Sequence, residues 1–213
     1  MTEKFASIVK CLKAATSPKL SSIDDAKRAA VAIALRDGEC GAELLMIQRA
    51  VREGDPWSGH MGFPGGRREP GDASNLECAL RETREEIGAD YQAHGELLCQ
   101  LSDVNTGWRA DRPEMLVAPF VYSLNSQPAF SLNHEVDSVL WVPIDFLLES
   151  SNRSLHQWQW RDRSLETDCY HYKGRLIWGL SLMMIDELLE IIGGRAAGGA
   201  AGLGSGPAGV TRV

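Results

Sequence analysis

The chain has no excess of positive charge, no long apolar run and no paired cysteines. Each lack closes off a class of function. Its 22 Lys and Arg stand against 29 Asp and Glu, a net charge of -7. A general nucleic-acid binder needs a basic surface to displace counterions from phosphates, so no nucleic acid is expected as a partner. An acidic protein that handles phosphates has to overcome its own field with a metal ion or with local arginines. No apolar run approaches the roughly 20 residues of a membrane helix, and no membrane partner is expected. The first residues lack a signal-peptide core and carry Glu3 early, which argues against export. Cys11, Cys40, Cys78, Cys99 and Cys169 are odd in number and never spaced as C-x-x-C. That pattern fits reduced thiols in a cytoplasmic type of compartment and offers no zinc site. So short a leader leaves a mitochondrial address open.

What is present suits a folded domain. A chain of 213 residues with 44% apolar and 24% charged residues has the size and composition of one globular domain with trimmings. Phe5, Ile8, Val9 and Leu12 are spaced for a short amphipathic helix that packs, and residues 17–22 read as a linker. Residues 29–35, 44–49, 96–102, 115–122 and 139–143 read as strands. Residues 169–178 read as a strand and turn, and 179–192 as a largely buried helix. Trp158 and Trp160, in a polar stretch, read as packing residues rather than a stacking platform. Residues 193–213 are Gly and Ala with too little apolar bulk to fold alone, hence a flexible tail. The expected division is an N-terminal helix and linker over 1–28, a globular domain over 29–192, and the tail.

The informative stretch is 62–89, a glycine-rich loop running into a short acidic helix. Ser74 with Glu77 three residues on reads as a capping box, and Gly88 as the stop. At about 100° per residue, Glu82, Glu85 and Glu86 share one arc of the helix. Leu76, Ala79, Leu80, Thr83 and Ile87 fill the neighbouring arc and should be buried, while Glu77 and Arg84 face water. Carboxylates held that close raise one another's pKa unless a cation sits between them. A hard divalent ion, Mg2+ or Mn2+, suits an all-oxygen site. The plain alternative is a solvated acidic face.

The whole string tips that balance. Arg81-Glu82-Thr83-Arg84-Glu85-Glu86-Ile87-Gly88, behind Gly65-Gly66 and a loop, resembles the Nudix box. That pattern is a Gly, five residues, a Glu, seven residues, then Arg-Glu-aliphatic-x-Glu-Glu-x-Gly-aliphatic. The chain departs from it at three places. Asp72 holds the early Glu position with eight residues before Arg81, and Thr83 and Ala89 replace aliphatic residues. Asp72 is assigned no role. The resemblance covers about residues 29–192. It implies an α/β fold, the Nudix-type α/β/α sandwich with a mixed β-sheet. It also implies hydrolysis of a diphosphate joining a nucleoside to another group, with a small nucleotide as substrate. By motif position Glu82 and Glu86 are metal ligands, and Glu85 is a ligand or the base. Gly66 adds its backbone carbonyl, and Arg81 orients a glutamate.

Upstream, Arg49-Ala50 and Gly59-x-x-x-Phe63-Pro64-Gly65-Gly66 resemble the coenzyme A pyrophosphatase branch of that family. The branch's middle arginine is missing, because eight residues rather than seven separate Ala50 from Gly59, and Arg52 lies nearby out of register. Arg49, Gly65, Gly66 and Arg67 are the expected substrate contacts. Arg49 suits a phosphate through its planar donor fork and equally suits a surface position at a strand end. His60 reads as loop surface. Trp108, Arg109 and Arg112 sit in a loop that offers contacts to phosphates or a base, or plain surface. Glu135, in the loop before residues 139–143, is the expected extra ligand or base. Three readings stay open: a coenzyme A or acyl-CoA pyrophosphatase, a Nudix enzyme for ADP-ribose, NADH or another dinucleotide, and a binding protein without turnover. A homodimer is also left open.

Overall fold

The structure is a computed structural model that describes residues 1–15, 27–39, 41–53, 58–106, 114–160 and 163–193, without the side chains of 159, 160, 163 and 165. The expectations for residues 17–22, for Trp108, Arg109 and Arg112, for the Trp160 side chain and for the tail past 193 lie outside the described residues.

Helix α1 (Glu3–Lys13) buries Phe5, Ile8 and Leu12, and the Thr2 hydroxyl caps it. Side chains of this kind contribute about 1.5–3 kcal/mol each when fully buried, so α1 is packed into the core as expected. Strands β1 (Lys27–Gly38) and β2 (Gly41–Arg49) form an antiparallel hairpin, and the short strands β3 (Met61–Gly62) and β4 (Gly65–Arg67) pair with β2 and β1. Helices α2 (Asn75–Ile87) and α3 (Tyr91–His94) lead to β5 (Gly95–Gln100), β6 (Val104–Asn105), β7 (Met115–Leu124) and β8 (Val136–Pro143). The main sheet runs β3-β2-β1-β7-β5, with β4 on β1, β6 on β7 and β8 on β2. Only the β1–β7 pair is parallel among the described strands, so the sheet is mixed. After α4 (Ile144–Leu148), a second sheet joins β9 (Arg153–Trp160), β10 (Arg163–Tyr172) and β11 (Arg175–Trp178), and α5 (Gly179–Ile192) ends the domain.

Alternation along β1 builds the two layers. Ala30, Ala32 and Ala34 turn to one face with α2 and α3, whereas Ile33 and Leu35 turn to the other with α1 and α5. Three alanines in a row on one face let α2 lie close against the strand. The result is the expected α/β/α sandwich. The β9–β10 pairing was not expected: residues 150–163 read as a polar, Trp-rich stretch, yet 153–160 pair along their length with 163–170, while the strand and turn expected over 169–178 form the end of β10 and β11. His156 and Trp158 are half-buried and Gln157 between them is exposed, so the strand alternates without an apolar residue at each inner position.

Candidate active site

Helix α2 begins where its sequence says. The Ser74 hydroxyl accepts from the Glu77 N–H at 3.1 Å, and the Glu77 carboxylate reaches back to the Ala73 N–H at 2.8 Å. Gly88 ends the helix at φ 69°, a left-handed conformation that favours glycine. Cys78, Ala79, Leu80, Thr83, Glu86 and Ile87 are buried, and Glu77 and Arg84 are exposed. Leu76, expected on the buried arc, is only half-buried. Thr83, in an aliphatic position, satisfies its hydroxyl on the Ala79 carbonyl at 2.7 Å.

The glycine pair supplies a floor for two of the glutamates. Gly65 sits at φ 154°, and a methyl there would strike the β1 backbone at Ala30 and Val31. Its N–H donates to Glu86 Oε2 at 2.9 Å. A methyl on Gly66 would occupy the space of the Glu82 carboxylate itself. The bare backbone of both residues therefore lets Glu82 and Glu86 lie against β4. Glu86 is 2% exposed, and burial pushes its carboxyl up to about 7 against the pull of the Gly65 N–H. The neighbouring Glu82 charge adds to that rise, the Arg49 charge opposes it, and Glu135 contributes a further rise. Glu82 is also raised, first by burial, with Arg81 opposing.

Arg81 is the hub of the unit. Its Nε and Nη2 grip Asp72 through both carboxylate oxygens, at 2.9 and 3.0 Å, while Nη1 reaches Glu82 at 3.1 Å and Glu85 at 3.0 Å. Nη2 also donates to the Arg67 carbonyl at 3.3 Å. Sequence reasoning gave Asp72 no role, and here it is buried and central. The guanidinium holds its carboxyl down at about 2, and the Glu69 N–H adds a hydrogen bond at 2.8 Å. The extra residue before Arg81 is absorbed in the 69–73 turn, so the shorter Asp still reaches the arginine. Its signal was present in the sequence as an acid ahead of the N-cap, and the shifted spacing hid it. Arg81, expected to orient a glutamate, is in contact with both Glu82 and Glu85.

The remaining expected residues divide. Glu135 lies in the loop that is hydrogen-bonded to the end of α2, with Asn133 N–H donating to the Glu86 carbonyl at 2.9 Å and Ser131 N–H to the Ile87 carbonyl at 2.9 Å. Its charge is felt at both Glu82 and Glu86. Arg49 ends β2, its N–H on the His60 carbonyl at 3.0 Å, with its charge felt at Glu86. Arg67 has an exposed side chain at the end of β4. His60 is no bare loop surface: its ring stands edge-on to Trp178 at 5.3 Å. The Gly66 carbonyl accepts a weak contact from the Cys78 thiol at 3.5 Å. Burial raises that thiol to about 11, so it stays protonated.

Together these groups fit a hard divalent cation. Two buried carboxylates press against a glycine floor, their pKa values are raised, and every donor is oxygen. Among the described residues no three acidic side chains are already drawn into one cage, since Glu85 turns out to Arg81 and is half-exposed.

The fold is an α/β/α sandwich whose loop–helix unit sets paired carboxylates against a glycine backbone. The comparisons name it. The model of the NUDIX domain matches residues 26–163, and the chain belongs to the Nudix family. An uncharacterised protein of Schizosaccharomyces pombe is 38% identical over 49% of this chain and 33% of its own length. An uncharacterised Nudix hydrolase, NudL, of Photorhabdus laumondii is 32% identical over 62% of this chain and 68% of its own. A mitochondrial coenzyme A diphosphatase of Homo sapiens is 29% identical over 70% of this chain and 62% of its own. The chain thus spans from a third to about two thirds of the length of these three relatives. No helix among the described residues is long and apolar enough to cross a membrane.

Proposed function

We propose that the chain is a divalent-metal-dependent pyrophosphohydrolase acting on a nucleoside diphosphate derivative, with coenzyme A or an acyl-CoA as substrate. The observation that carries the reaction class is the Glu82–Glu86 pair seated on Gly65 and Gly66. Glu82 and Glu86 would hold Mg2+ or Mn2+, with Glu85 or Glu135 completing the set. Bound there, the ion would screen the phosphate charge and acidify the attacking water. The chain's own residues do the rest. Arg81 fixes the rotamers of Glu82 and Glu85, and Asp72 fixes Arg81. Arg49 and Arg67 meet the substrate phosphates. Glu135 or Glu85 takes the proton of the attacking water, and separate Gln variants of the two distinguish them. For coenzyme A, water adds across the diphosphate to release 3',5'-ADP and 4'-phosphopantetheine.

Two observations support the coenzyme A substrate. One is the Arg49-Ala50 and Gly59-x-x-x-Phe63-Pro64-Gly65-Gly66 stretch, and the other is the likeness to the human coenzyme A diphosphatase. A second reading, a pyrophosphatase for ADP-ribose, NADH or another dinucleotide, is favoured by the out-of-register Arg52, whose guanidinium is engaged on Glu135. A panel of coenzyme A, acetyl-CoA, ADP-ribose, NADH and diadenosine polyphosphates with Mg2+ or Mn2+ separates them. Release of 3',5'-ADP from coenzyme A ahead of AMP from the others supports the first reading. AMP from ADP-ribose or NADH moves the protein to the second. Silence across the panel sinks the hydrolase.

A further inference from the structure

Arg52 missed its register in the sequence, and the structure shows what it holds instead. Its Nη1 lies 3.1 Å from Glu135 Oε1, and Nη2 donates to the His134 carbonyl at 3.1 Å. Its own N–H is fixed by the Ser58 hydroxyl at 2.7 Å. Beside it the Ala50 N–H donates to the Glu135 carbonyl at 2.8 Å. The Glu135 N–H in turn donates to Asn133 Oδ1 at 2.7 Å, and the Asn133 N–H to the Glu86 carbonyl. A continuous hydrogen-bonded path thus runs from the loop after β2, through Arg52, to the end of the helix that carries Glu82 and Glu86.

We infer that Arg52 is a positioning residue that straps Glu135 over the Glu82–Glu86 pair and is not itself a contact to substrate. The inference rests on the reading of Glu135 as a working carboxylate. Its logic is electrostatic. The loop that carries Glu135 is hydrogen-bonded through Asn133 to the end of α2 at Glu86, so a third carboxylate is brought to the Glu82–Glu86 pair from a loop rather than from α2. A loop carboxylate repelled by two neighbours swings away unless something holds it, and the Arg52 guanidinium is in contact with it. Arg81 does the same for Glu85 on the other side. Arg52 thus holds Glu135, Arg81 holds Glu85 together with Glu82, and the Glu82–Glu86 pair faces the glycine floor. Phosphate recognition then falls to the other arginines of the cleft.

The test is a double-variant cycle with a structural readout beside it. Arg52→Gln should lower kcat about two- to fivefold with KM within about 1.5-fold, the range for a part-exposed ion pair. Arg52→Lys should restore most of the loss. The Arg52→Gln/Glu135→Gln double variant should be no worse than Glu135→Gln alone, because the arginine acts only through that carboxylate. In metal-free protein, hydrogen exchange should quicken at Ala50 and across 133–136 in Arg52→Gln, with residues 75–87 unchanged. A raised KM at unchanged kcat would make Arg52 a substrate contact and overturn the inference. Additive losses in the double variant, or unaltered exchange at 133–136, would do the same. A wild-type protein that turns over the panel beside an indifferent Arg52→Gln sinks this inference and leaves the hydrolase standing.

Discussion

Two buried carboxylates of one loop–helix unit have been pushed in opposite directions. Asp72 is 7% exposed and Glu86 2%. Asp72 is held at about 2 by a two-pronged arginine, and Glu86 is driven up to about 7 by burial among like charges. The first has its partner inside the fold. The second has a backbone N–H and too little positive charge, at a cost to the folded state. A satisfied buried acid is structural, and an under-compensated one in a cleft marks where a ligand supplies the missing charge. Arg81 is the boundary between them, with two nitrogens on Asp72 and one reaching towards Glu82 and Glu85.

The largest break in this comparison is Glu86→Gln. Removing this proposed metal ligand should cut divalent-dependent turnover by about a thousandfold or more. Stability should move the other way. Folding raises the Glu86 pKa from 4.5 to about 7, so the folded state holds its proton more tightly. Stability is then lost as pH rises through that window, on the order of 3 kcal/mol at most. Without metal, the Gln variant should melt a few degrees above wild type at pH 8 and close to it at pH 5. Melting curves at the two pH values check the sign, and a variant less stable at pH 8 would break the contrast with Asp72.

Next comes Gly66→Ala, aimed at the floor. The new methyl meets the end of the flexible Glu82 side chain rather than backbone, so the fold survives and the carboxylate moves. A displacement of about 1 Å costs about tenfold to a hundredfold in kcat. Gly65→Ala is its foil, because there the methyl strikes β1 backbone and the left-handed φ adds strain. That variant should lose stability first, read as a lower midpoint of denaturant unfolding.

Much of this unit was legible in the sequence, and the reason is local chemistry. The helix start, its stop and the shared arc of Glu82, Glu85 and Glu86 follow from capping and from the 3.6-residue period. The alternating core of β1 was legible as an apolar run, and so was the mixed sheet between helices. What stayed hidden depends on contacts between distant segments. Asp72 gained its role only when a turn brought it to Arg81, and Arg52 only when the loop after β2 met Glu135. The β9–β10 hairpin was hidden because its polar strands carry no clean two-residue apolar alternation and pair mainly with each other. Spacing placed Glu86 on the arc of Glu82 and Glu85, but its near-complete burial came from the close approach of α2 to the alanines of β1.

Asp72→Asn sharpens the structural half. It takes from Arg81 its two-pronged buried partner and leaves it Glu82 and Glu85, which should cost about 2–3 kcal/mol at pH 7. Folding lowers the Asp72 pKa from 3.8 to about 2, so its contribution is present above 3.8 and fades as pH falls towards 2. The gap between variant and wild type should therefore narrow on acidification, opposite in direction to the Glu86 case. Turnover should fall less than in Glu86→Gln, since Arg81 keeps Glu82 and Glu85.

The smallest expected effect lies farthest from the carboxylates. Ser74→Ala removes the hydroxyl that caps α2 but leaves the Glu77 contact to Ala73 in place. Loss of such a cap costs about 1 kcal/mol. For a domain of this size that lowers the midpoint by about 2–4 °C. The cap lies two turns from Glu82, and α2 is held along its length by Ala79, Leu80, Thr83 and Ile87. The loss should therefore appear only in stability, with kcat and KM at wild-type values. A fall in kcat matching that of Gly66→Ala would mean that the start of the helix and its carboxylates move as one body. Asp72 and Glu86 could then no longer be treated as separate devices on a shared scaffold.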